Sequence, residues 1–136
     1  MIPIAVRLHP GQDLLRELEY FCRAQSLDAG CVLTCVGSLT TAVIRFANQE
    51  QAEELHGHFE IVSLTGVLST HGAHCHISIS DREGRTVGGH LMAGCNVYTT
   101  AEIIIGTCPG MRFLRTFDPQ TGYPELEIAT IEPEEE

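Results

Sequence analysis

Lysine is absent from this chain. All eight basic residues are arginines, set against eighteen aspartates and glutamates, for a formal charge of −10 at pH 7. Duplex binding draws most of its affinity from phosphate neutralisation, so such a surface repels nucleic acid rather than steering toward it. Removing the four glutamates after Ile131 still leaves the body at −6, since 14 acidic residues then face 8 arginines. No stretch approaches the roughly 20 consecutive apolar residues of a membrane helix. Met1–Arg7 lacks a basic leader and a cleavage region, and reads as a first strand. The expectation is a cytoplasmic protein with no membrane partner. A C-x-x-C pair is missing too, although there are six cysteines. Their scatter through a 136-residue chain fits buried, reduced thiols better than a disulfide framework.

What is present suits one domain large enough to bury a core. Gln12–Ser26 places Leu14, Leu15, Leu18, Phe21 and Cys22 at helical spacing, and predicts one main helix over residues 12–26. Asp13 and Glu17 suit its positive end. The remainder is strand-like. Ile2–His9 ends at Pro10-Gly11. Ala29–Val36 runs to Gly37-Ser38, and Thr41–Ala47 reads as its hairpin partner. Asn48–Leu55 is polar, a loop or helical turn. His58–Ser69 is a long strand bent at Gly66. Thr99–Cys108 stops at Pro109-Gly110, and Arg112–Phe117 with Leu126–Ile131 are expected to close the sheet across the turn 118–122. The fold class is α+β, a single domain with a largely antiparallel, curved sheet of about seven strands. The domain is expected to span residues 1–131, followed by a solvated, disordered acidic tail at 132–136.

Chemistry concentrates in His74-Cys75-His76 and Gly88-Gly89-His90. The midpoint between His76 and His90 falls in the turn-like run Asp81-Arg82-Glu83-Gly84-Arg85. A hairpin of Ala73–Ser80 with Thr86–Ala93, centred there, sets His76 opposite His90, and alternation puts His74 on the same face. Opposed Cβ atoms lie roughly 4.5–5.5 Å apart, so three imidazoles converge on one patch. Such a set suits Zn2+, or another divalent transition metal such as nickel or iron, and three protein ligands leave a coordination position open. The bland alternative is three solvent-facing or hydrogen-bonded histidines. Cys95 is a possible fourth soft ligand, or a packed thiol. His71 is close enough in sequence to substitute.

Gly88 and Gly89 mark either a bulge or close backbone approach, and would also leave room over an ion for a ligand. Arg45 is suited to holding an anion bidentately, or is a surface arginine. Glu60 and Glu102 interrupt apolar strands. They are candidates for general acid/base or histidine-orienting roles, weighed against outward-facing carboxylates or ion pairs with Arg45 or Arg112.

Several blocks resemble the PPC family, the plant and prokaryote conserved domain. They are Gly57–Gly66, His74–Leu91, Thr99–Gly106, and Val36-Gly37-Ser38-Leu39 with Arg45. The resemblance runs through roughly residues 4–130. It implies an α+β fold assembled as a homotrimer, with the histidine patch near clefts between subunits. Plant members carry AT-hook segments and bind DNA, but the hook's Arg-Gly-Arg-Pro core is absent here. The fold is also similar to that of acetolactate decarboxylase, whose zinc is held by an H-x-H pair and a later histidine. Two functions are therefore expected to compete. One is a homotrimeric metal-bearing protein that binds a small anionic ligand or a protein partner, with a regulatory role. The other is a metal-dependent enzyme acting on a small carboxylate or carbonyl compound. Direct DNA binding, the third, runs against the charge balance.

Overall fold

Residues 1–132 are described by a computed structural model of the chain. The acidic tail expected at 132–136 lies, apart from Glu132, outside the described residues. Eight strands and one helix follow in the order β1 (Ile2–Leu8), α1 (Leu14–Ala24), β2 (Gly30–Arg45), β3 (Glu53–Ser69), β4 (Gly72–Ser80), β5 (Thr86–Leu91), β6 (Asn96–Thr107), β7 (Met111–Asp118) and β8 (Tyr123–Thr130). The α+β class and the antiparallel sheet are as expected.

Six strands form one sheet in the order β1-β6-β2-β3-β4-β5, and β5 pairs again with β2 through Ile44↔Leu91 and Arg45↔His90. The circuit β2-β3-β4-β5 thus returns on itself. The core is its apolar filling, including Leu39, Ile44, Leu64, Leu68, Ile77, Ile79 and Leu91. Helix α1 buries Leu14, Leu18 and Cys22 against this core. It is shorter than the periodicity suggests because Asp13 caps it, accepting from Arg16 N at 3.1 Å. Beyond Gln25, Ser26 turns to φ 48°.

Three expectations are corrected. The pair 29–36 and 41–47 is not a hairpin but a single 16-residue strand, β2. Gly37 makes no turn there. Its missing side chain lets the β6 backbone at Thr100 and Ala101 pass alongside, and the bend is taken by register shifts around Leu39 and Thr41. Nor do the last two strands close the main sheet. β7 and β8 pair only with each other, as a separate ribbon. The end of β5 nearest them is occupied by β2 through Ile44↔Leu91 and Arg45↔His90. The polar segment before β3 is also shorter than expected, since pairing begins at Ile44↔Glu53.

Among the described residues no helix is long and apolar enough to cross a membrane, which leaves strand-spanning proteins unaddressed.

Candidate metal centre

The β4–β5 hairpin has the register its sequence predicts: His76↔His90, Ile77↔Gly89, Ser78↔Gly88 and onward to Ser80↔Thr86. The turn is fastened by Asp81, whose N–H donates to Arg85 O and whose carboxylate accepts from Glu83 N and Arg85 N. Gly84 supplies the left-handed residue at φ 78°. With no bulge in this ladder, the three rings meet. Their centroids are 5.0 Å apart for His74–His76, 5.1 Å for His74–His90 and 5.7 Å for His76–His90. One ring nitrogen from each lies within 4.8 Å of the others. Bond lengths of about 2.0–2.1 Å in a tetrahedral zinc site place donors roughly 3.4 Å apart. Small χ rotations close that gap. His74 and His76 are exposed and His90 half-buried, so solvent resists little.

His90 is the most tightly placed of the three, on a strand hydrogen-bonded to both β4 and β2. The glycines beside it serve that closure. A Cβ on Gly89 would stand 2.6 Å from Arg45 O, and one on Gly88 2.6 Å from Ile77 O. Close backbone approach, rather than a bulge, is therefore the structural reason for the pair. Both glycines also line the cleft beside His76 and His90.

Electrostatics favour the neutral, metal-competent imidazole at two positions. The His74 pKa is lowered first by desolvation, then by His76, Arg115 and Arg45, with Glu125 opposing. That of His90 is lowered by desolvation, then by Arg45, His74 and His76.

Two clefts meet at this patch. One, of about 330 Å³, runs between His74, His90 and Arg45 on one side and Arg115, Tyr123 and Glu125 of the β7–β8 ribbon on the other. The second, larger cleft lies beyond His76, Gly88 and Gly89. The ribbon is set over the patch by Ser69, which donates to Phe113 O at 2.8 Å, and by Phe113 N donating to Asp28 O. The Arg115 side chain then passes the open backbone of Gly72, where an added Cβ would sit 3.5 Å from its Cγ. Sequence reasoning did not identify Arg115, Tyr123 or Glu125 as site residues. No periodicity marks them, because they reach the histidines only through a contact between separate sheets.

The other candidates stand apart. Glu60 pairs with Ser80, five residues before the partner of His76, roughly 16 Å along the strand. It lines a separate cleft with His58, Ser38 and Tyr98. Glu102 is exposed and accepts from Thr100 Oγ1, which in turn accepts from Arg7 Nε. Neither forms an ion pair with Arg45 or Arg112, and Arg112 instead binds Asp28 at 3.1 Å. Cys95 is fully buried behind the hairpin, its sulfur accepting from Val43 N at 3.2 Å, and burial pushes its pKa to about 11. His71 is absent from the cluster.

Residues 1–109 match the Plants and Prokaryotes Conserved (PCC) domain. The chain is 49% identical over 126 residues to a bifunctional GlmU protein of a Synechococcus strain, covering 93% of this chain and 20% of that protein. It therefore spans about a fifth of the length of this relative and of a second GlmU protein from another Synechococcus strain. A hypothetical protein from Salmonella superposes with TM-score 0.93 at 41% identity, over 95% of this chain and 94% of that one. A metal-containing protein from Archaeoglobus fulgidus superposes with TM-score 0.82 at 29% identity, covering 93% and 94%.

Proposed function

The chain belongs to the Plants and Prokaryotes Conserved domain family, and from that premise we propose that it holds one divalent transition metal ion on His74, His76 and His90. Zinc is favoured by the all-imidazole donor set, with nickel or iron as substitutes. The observation that carries this reading is the convergence of three ring nitrogens within 4.8 Å on one hairpin. The metal-containing relative from Archaeoglobus fulgidus supports it. Bound there, the ion would supply Lewis acidity toward an oxygen ligand. The protein's own part is to hold three imidazoles on a rigid ladder, keep two of them neutral, and surround the open side with Arg45, Gly88 and Gly89.

The proposed role is that of a homotrimeric binding protein, cytoplasmic and regulatory, whose metal centre takes a small ligand or a partner near a subunit cleft. Val36 and Val62 give self-association a surface. They adjoin the paired residues Gly37 and Ile61 in sequence, and are 63% and 57% exposed. Light scattering on the eluting protein should give three chains per particle, and Val62→Asp should dissociate them. A second reading, a metal-dependent enzyme on a small carboxylate or carbonyl compound, draws on the ionisable groups Glu125 and Tyr123 at the same cleft. Glu60 and Glu102 would require a neighbouring subunit to bring them there.

Elemental analysis of untagged protein should find about one ion per chain. His76→Ala and His90→Ala should each abolish binding while leaving the particle size unchanged. A chain that stays metal-free after zinc is added overturns the proposal.

A further inference from the structure

The cleft between the histidines and the ribbon is a pocket of positive charge in a chain of −10. Arg45 comes from the end of β2 and Arg115 from β7. Among the described residues neither forms an ion pair, whereas Arg85 and Arg112 do. Two half-buried arginines therefore line one space with only Glu125 as a carboxylate among the lining residues. The cleft of about 330 Å³ sits at the small end of ligand sites, which run to about 1,000 Å³.

These groups define a ligand. Guanidinium carries donors only and matches a planar carboxylate with paired N–H···O bonds. Glu125, ionised, accepts only, and at the exposed rim of the cleft it can take a hydrogen bond from a ligand hydroxyl. The acidic surface elsewhere turns polyanions away, while a small monoanion can enter. From this arrangement we infer that the cleft is a binding site for a small hydroxycarboxylate, its carboxylate on Arg45 and Arg115 and its hydroxyl directed to Glu125. The inference rests on the three-histidine reading in one respect: an ion there adds positive charge to the same space.

Calorimetric titration of the full chain with lactate, propionate and lactamide tests it, in zinc-loaded and zinc-free protein whose metal content is measured alongside. Lactate should bind more tightly than propionate, and the uncharged lactamide should give no saturable heat. Arg115→Met should weaken lactate by about tenfold, the scale of a charge-assisted hydrogen bond, with zinc content and circular dichroism unchanged. Arg45→Met, as a second variant, should do the same. Glu125→Gln should narrow the preference for lactate over propionate. If zinc loads but lactate does not bind, or Arg115→Met and Arg45→Met leave its affinity unaltered, the inference is overturned and the metal reading stands. If zinc fails to load yet lactate binds through Arg115, the metal reading falls and the anion site is supported.

Discussion

Partial desolvation and neighbouring positive charge lower the pKa values of His90 and His74, and this has a consequence for the metal-free chain. Both pKa values lie below the ordinary 6.5. As pH falls past 6.5 the unfolded chain takes up protons that these folded imidazoles refuse, so folding stability is lost progressively until the lowered pKa values are passed. Above about 7 the two groups contribute no slope. Urea midpoints of metal-free protein between pH 7.5 and 5 should decline, and His90→Asn should flatten that decline. At Gly89 the constraint is steric. Alanine there sets its methyl against Arg45 O, and should cost about 1–3 kcal/mol in a denaturant titration. At this scale the sequence was legible where one ladder decides the outcome. The turn centred on Glu83 dictated His76 opposite His90, and alternation added His74. Arg115 and Glu125 were not legible, because nothing local to β7 or β8 encodes that the ribbon lies over Gly72 and His74.

Among the elements, β2 shows how a glycine misleads. Gly37-Ser38 in a run of apolar residues has the composition of a turn, yet the strand continues through it because Gly37 is needed for its approach to β6. Whether a glycine bends a strand or admits a neighbour depends on residues 63 positions away, which periodicity does not register. The helix was read with only its ends misplaced, since five apolar positions at i, i+3, i+4 spacing leave little choice. The β7–β8 ribbon differs from the other strands in having no fully buried side chain. A two-stranded ribbon of this kind has little independent stability. Its amides, from Met111 to Thr130, should therefore exchange with deuterium well before those of β2 and β6. Occupation of the anion site should slow that exchange, because Arg115, Tyr123 and Glu125 belong to the ribbon.

For the molecule as a whole, the charge of −10 argues against carrying DNA binding over to this chain. Gel-shift titration at about 150 mM salt should show no retained duplex, since few phosphates are neutralised. A tight complex there would show that the arginines gather into a surface larger than the cleft. The fold class was readable from element count alone, one helix and many short-turned strands. The return of β5 onto β2 was not, because it rests on two residue pairs, Ile44↔Leu91 and Arg45↔His90, formed late along the chain.

That closure bears on aggregation. At His90 β5 is bonded on both flanks, so that end of the strand offers no free ladder to a foreign strand. The main sheet's remaining outer strand, β1, carries Pro3, which lacks the amide hydrogen an incoming strand would seek. The main sheet thereby limits its own edge pairing, and the exposure left to a foreign strand is concentrated on the outer edges of the β7–β8 ribbon.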